Sequence, residues 1–137
     1  MKIISIDASL VAVSLLSENI KVEKFFKDLL AEAARKKIQL LSSKLLNLEV
    51  ANALRFSIKD KEKSLRIMKD FSSLPIKTVV LSKTHIHLAI KTSYELGTTV
   101  YDTSYHILAK AYGAILFTSD EDYYKKAKNL GDIEFIG

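Results

Sequence analysis

The chain has 137 residues, 48% hydrophobic and 27% charged, with no Cys, one Pro and four Gly; this fits one globular domain over 1–137 and excludes disordered, collagenous and disulfide-stapled chains. Without Cys there is no thiolate zinc site, iron–sulfur cluster or thiol nucleophile, and no apolar run reaches the roughly 18 residues of a spanning helix. Lys plus Arg number 21 against 16 Asp plus Glu, leaving +5, a mild pull toward polyanions that a solubilising surface explains equally well.

Ile3–Ile6 is a short β-branched run closed by Asp7, the pattern of a buried strand. The acid also interrupts any export signal, so the chain reads as cytoplasmic. A helical stretch follows from Leu10 to Leu16. From Val22 to Arg35, the residues Val22, Phe25, Phe26, Leu29, Leu30 and Ala33 recur at steps of three and four, an amphipathic helix. Ile38–Leu41 is a second strand, and Ser42-Ser43 offer an N-cap to a helix over about Lys44–Ile58. Asp60 caps a helix over Lys61–Phe71 that Pro75 ends. Thr78–Leu81 is a third strand, and Ser82 and Gly97 bracket the next helix. Asp102–Tyr112 is helical, Ala114–Thr118 the fourth strand, about Asp122–Leu130 the last helix, and Ile133–Ile136 a short terminal strand. Short strands alternating with helices, without hairpin signals, require parallel pairing through helical crossovers. The expected fold is α/β, a three-layer α/β/α sandwich around a short, mostly parallel sheet of four to five strands.

In an open parallel sheet, ligands sit beyond the carboxyl ends of the strands, where the strand order reverses. The first strand ends at Asp7 and the fourth in Thr118-Ser119-Asp120. If the chain winds to one side and then returns, those strands are neighbours and the two acids meet. At roughly 100° per residue, Glu49 falls within its helix's apolar stripe, between Leu45 and Phe56 on one side and Leu46 and Ala53 on the other. A charge there is costly unless paired or bound to a cation. Asp102 stands at the opening of its helix beside Tyr105, Leu108, Ala109 and Tyr112. Each acid alone has a plainer explanation: Asp7, Asp102 and Asp120 precede helices and Asp is a preferred N-cap, while Glu49 could pair with Arg or Lys. Together they point to one end of the sheet. Four carboxylates in one crevice cannot all stay ionised unaided: some take protons, or a divalent cation neutralises them, and oxygen-only ligation selects Mg²⁺ or Mn²⁺.

Four segments, Ile6-Asp7-Ala8-Ser9, Leu48-Glu49-Val50-Ala51-Asn52-Ala53-Leu54, Leu96-Gly97-Thr98-Thr99-Val100-Tyr101-Asp102 and Leu116-Phe117-Thr118-Ser119-Asp120, stand in order across nearly the whole chain. In this series the chain resembles the PIN-domain family, and within it the VapC-type toxin ribonucleases of toxin–antitoxin pairs. The resemblance implies that Asp7, Glu49, Asp102 and Asp120 are the four site acids and metal ligands, and that Thr118 is the hydroxyl residue before the last acid. Asp122 is an alternative fourth acid, although capping of the last helix accounts for it. Thr103 departs from the Ala more common after the third acid. The implied activity is Mg²⁺- or Mn²⁺-dependent endoribonuclease cleavage leaving a 3′-hydroxyl and a 5′-phosphate. The implied partners are RNA, a small antitoxin masking the acids along a groove of the early helices Leu10–Leu16 and Val22–Leu30, and a second copy in a homodimer. The alternative is a catalytically silent PIN-like module that binds RNA or protein.

An acidic pocket repels phosphate, so such a nuclease needs a basic rim. The candidates are Lys44, Arg55 and Lys59 around the Glu49 helix, Lys83, Lys110, and Lys125-Lys126, each equally readable as a solvated surface charge. Gly-rich phosphate cradles are absent, which excludes P-loop and dinucleotide binding. His85 and His87 read as surface residues; His106, four residues after Asp102, is open to a place at the site mouth, with an exposed position the default. Of Tyr123 and Tyr124, one ring is expected in the core while stacking on bases is open to the other.

Overall fold

A computed structural model describes residues 1–137. The elements run β1 (Lys2–Ile6), α1 (Ala8–Leu15), α2 (Ile20–Ala34), β2 (Ile38–Ser43), α3 (Leu46–Ser57), α4 (Lys61–Ser72), β3 (Ile76–Val79), α5 (Lys83–Leu96), α6 (Val100–Ala111), β4 (Ile115–Thr118), α7 (Glu121–Ala127), a 3₁₀ turn (Lys128–Leu130) and β5 (Ile133–Phe135). The five strands form one parallel sheet in the order β3-β2-β1-β4-β5. Its middle strands are buried on both faces, as a parallel sheet between helices requires: Ile4, Ser5 and Ile6 of β1, and all of β2 except Gln39, are inaccessible or nearly so. Leu10, Val11, Val22, Phe26, Leu46, Val50, Leu54, Tyr105 and Ala109 pack from the helices onto Ile4, Ile6, Leu40 and Leu116. No helix is long and apolar enough to cross a membrane.

The switch in strand order falls between β1 and β4, which pair directly with Ile6 beside Phe117. The winding that brings Asp7 toward Asp120 is therefore present.

Several local expectations are corrected. Ser42 and Ser43 end β2, and only Ser43 keeps a capping bond, its Oγ accepting from the Leu45 amide at 3.1 Å just ahead of α3. The Ser42 hydroxyl donates to the Ile6 carbonyl at 2.6 Å, fixing β2 to β1 one residue before Asp7, while Leu45, the N-cap residue of α3, makes no side-chain cap bond itself. The third strand lies two residues earlier than expected, starting directly after Pro75. It is an edge strand, where a proline at the entrance removes no ladder bond from the sheet centre. α6 begins at Val100 rather than Asp102, with Thr99 as its cap. The early helices offer less groove than expected, since Leu10, Val11, Val22, Phe26 and Leu29 all lie in the core.

Candidate active site

Asp7 follows β1 directly and caps α1. Its Oδ1 accepts from the Leu10 amide at 3.1 Å and from the Ser9 hydroxyl at 2.6 Å, while Oδ2 accepts from the Thr118 hydroxyl. Capping and a place in the site are thus not rivals, because the two oxygens face different ways. Thr118 ends β4, fully buried, and its Oγ1 also accepts from the Asp120 amide at 3.1 Å. Ser9 Oγ accepts from the Ser119 amide at 2.9 Å. The loops after β1 and β4 are in this way joined by hydroxyls, each pairing with groups from both loops.

Asp120 caps α7, with Oδ1 accepting from the Tyr123 amide at 3.0 Å. Asp102 is relieved of capping: Thr99 Oγ1 accepts the Asp102 amide at 3.1 Å, the bond an N-cap makes to the third helical residue. Its carboxylate is half-buried, feels the charges of Asp120 and Glu49, and has its pKa held down only by the Thr99 side chain. Glu49 sits at the flank of α3's buried stripe of Leu46, Val50 and Leu54 rather than inside it, half-buried, and Phe56 is exposed. Its partner is neither Arg nor Lys. The phenol of Tyr105, one turn beyond Asp102, donates to Glu49 Oε1 at 2.6 Å.

The electrostatics couple these groups. Burial pushes the Asp7 carboxyl up to about 6, against the pull of the Ser9, Thr118 and Leu10 donors and with a further push from Asp102. Asp102 is also raised, first by burial and then by the charges of Asp120 and Glu49. Tyr105 is raised far above the ordinary phenol range, by burial first and then by its bond to Glu49, so it stays a neutral donor. The four acids therefore act on one another through Asp102. The chain's ion pairs are Lys27–Glu23, Lys61–Glu62, Lys110–Asp132 and Lys125–Glu121, and none supplies a counter-charge to the site.

No three carboxylates converge on one point at ligating distance; Asp7, Asp120 and Glu49 each turn an oxygen toward a protein donor. An all-oxygen donor set with buried acid and no internal cation nevertheless fits a hard divalent ion in chemistry and charge.

The expected rim divides. Arg55 lines a cavity with Glu49, and Lys44 an adjoining one. Lys83 is the first, exposed residue of α5. Lys125 is exposed and paired with Glu121, and Lys126 donates to the Gly97 carbonyl at 3.1 Å. Lys59 lies on a different cavity between α3 and α4. Lys110 is not on the rim. Eight residues beyond Asp102, about 12 Å along the helix axis, it pairs at 2.9 Å with Asp132 at the opposite end of the sheet.

His106 is also corrected, from surface to core. Fully buried, its Nε2 donates to the Gly131 carbonyl at 2.7 Å and its Nδ1 accepts from the Tyr123 hydroxyl at 2.9 Å; a carbonyl can only accept, which fixes the tautomer. Burial lowers its pKa. Tyr123 is the buried ring of the tyrosine pair, and Tyr124 lies half-buried against Phe135, with ring centroids 5.9 Å apart. Tyr105 and Ser9 are the site residues that periodicity passes over. The available signal was a phenol in a buried stripe, whose hydroxyl must find a partner, and a hydroxyl two residues after a strand-end acid.

The family profile described as PIN domain matches residues 4–129. Among solved structures, the chain is similar to PAE2754 from Pyrobaculum aerophilum, at 26% identity and TM-score 0.61 over 93% of this chain and 87% of that one. It is also similar to VapBC2 from Rickettsia felis bound to a DNA fragment from its promoter, at 16% identity and TM-score 0.71 over 98% and 99% of the two chains. A toxin–antitoxin complex from Klebsiella pneumoniae matches at 11% identity and TM-score 0.64 over 96% and 95%. At such identities the last two speak to the fold alone. No curated protein matches significantly.

Proposed function

The chain belongs to the PIN-domain family, and from that premise we propose that it is a Mg²⁺- or Mn²⁺-dependent endoribonuclease, the toxin of a VapBC-type toxin–antitoxin pair. One observation supports the reading: acids from four separate elements act on one another's charge through Asp102, two of them directly beyond the paired strands β1 and β4, and none is in an ion pair with a cation of the chain. Asp7, Glu49, Asp102 and Asp120 would hold the ion. Once bound, it supplies the two things in-line hydrolysis of an RNA phosphodiester needs, an activated water and a counter-charge for the phosphate.

The chain's own residues prepare that site. Thr118 and Ser9 fix Asp7 from two sides, so its carboxylate is oriented before any ligand arrives. Tyr105 does the same for Glu49. Asp102, with its capping duty passed to Thr99, is free to turn toward the ligand. Lys44 and Arg55 offer positive charge beside an anionic crevice, which a polyanionic substrate requires. A small antitoxin as the inhibitory partner and a homodimer as the assembly complete the reading, the former supported by likeness to toxin–antitoxin complexes.

Cleavage of single-stranded RNA by the purified chain should require Mg²⁺ or Mn²⁺, stop on chelation, and disappear in Asp102→Asn. Cleavage that survives Asp102→Asn in contaminant-free protein would sink the assignment. Absence of cleavage at saturating Mn²⁺ would favour the silent binding module.

A further inference from the structure

Beside the acid crevice, and sharing Glu49 as a wall, lies an open cavity of about 660 Å³ between α3 and the start of α6. Residues at i, i+3, i+4 and i+7 of α3 present Leu48, Ala51, Asn52 and Arg55 to it, away from the buried stripe, and Tyr101 closes the other side. Tyr101 directly precedes Asp102, and the residue is 61% exposed. Leu45 and Tyr101 also line a second cavity of about 270 Å³ that Lys44 borders, so the ring stands where two hollows meet. Arg55 is exposed and outside the chain's ion pairs, its guanidinium resting over the Phe56 ring at 5.1 Å. Asn52 is exposed beside it.

Resting on the ribonuclease reading, we infer that this cavity is a nucleobase subsite, which takes the base next to the scissile phosphate, stacks it on Tyr101 against Leu48, and meets its edge with the Asn52 amide. The charge layout favours this occupant. The lining sets one acid, Glu49, against one base, Arg55, among apolar and amide side chains, so the cavity carries no net charge to hold a phosphate, and the base is the uncharged part of a nucleotide. Arg55, lining this cavity, and Lys44, lining the adjoining one, are the cations left for the flanking phosphates. An aromatic face, an aliphatic face and an amide bearing both donor and acceptor are what recognition of a splayed-out base uses. A second copy of this chain seated on the same face is the competing occupant.

The test is binding of a short single-stranded RNA, by fluorescence anisotropy in Ca²⁺ so that turnover does not intervene, with an abasic nucleotide moved along the strand. One abasic position should weaken binding to the wild-type chain by roughly 5- to 150-fold. Tyr101→Ala should lose a similar factor on intact RNA, lose little more on the abasic strand, and keep its thermal midpoint, whereas Tyr101→Phe should bind like wild type. Full abasic sensitivity persisting in Tyr101→Ala, or unchanged affinity of that variant, overturns the subsite while leaving the nuclease intact. Conversion of a dimer to a monomer by Tyr101→Ala with RNA affinity per site preserved overturns it in favour of a self-interface. A wild-type chain that neither binds nor cuts RNA overturns both readings.

Discussion

Asp7→Asn should separate the chemistry of the site from the stability of the fold. Burial lifts the Asp7 carboxyl from its ordinary 3.8 to about 6, so in metal-free protein the folded state holds this proton more tightly than the unfolded chain. The associated stability is complete below about pH 4 and is lost as pH rises through 6, by roughly 3 kcal/mol in all. Asn cannot ionise, so the variant escapes that loss. Against it stands the Thr118 hydroxyl, which donates to Oδ2 and would meet the Asn amide as a donor, at about 1 kcal/mol. The variant should therefore be about 2 kcal/mol more stable than wild type at pH 7.5, and less stable by about 1 kcal/mol at pH 4. For a domain of this size the gain is several degrees in thermal midpoint. Urea unfolding of both proteins in EDTA from pH 4 to 8 measures the difference, alongside RNA cleavage in Mn²⁺, which should vanish in the variant. A wild-type-minus-variant difference flat with pH would refute the assigned burial cost. A variant that is more stable but still cuts would refute the role of Asp7.

Tyr105→Phe keeps the ring and removes only the donor to Glu49; Mn²⁺ affinity by titration calorimetry should fall roughly 10–100-fold, as when groups behind metal ligands are lost, with the thermal midpoint little changed. Lys44→Glu and Arg55→Glu should each weaken RNA binding and lower its salt dependence by about one phosphate contact, whereas Lys110→Glu, at the far end of the sheet, should leave both unchanged. Ser5 has a buried hydroxyl without a partner, so Ser5→Ala should raise stability by about 1 kcal/mol in urea unfolding.

The acids at strand ends were legible because a charge directly after a β-branched run has few structural uses beyond capping a helix or meeting a ligand. Asp7 and Asp120 both cap helices, and the proposed nuclease reading gives both the second use as well. Glu49 was only half legible: helical angles placed it beside apolar neighbours but could not show Tyr105 reaching across from α6, since a phenol counts as apolar in a periodic pattern. Asp102 looked like a helix opening because Thr98 and Thr99 read as loop, yet the Thr-x-x-Asp spacing is that of a cap and its third helical residue. Lys110 illustrates the limit of composition. Its charge was visible, but the two turns of α6 between Asp102 and Lys110 carry a side chain from one end of the sheet to the other. His106 fails similarly, as only the fold shows that Gly131 and Tyr123 enclose it.

The bond between Thr118 and Asp7 joins residues 111 apart in sequence, and β4, which brings Thr118, fits between β1 and β5. A chain still being synthesised, or clipped before residue 115, has no β4. Its β1 then presents a free apolar edge, and Asp7 lacks the hydroxyl that orients it. Incomplete molecules should for this reason be inert toward RNA, though prone to association, and nuclease activity should switch on only when the last sixth of the chain inserts beside the first strand.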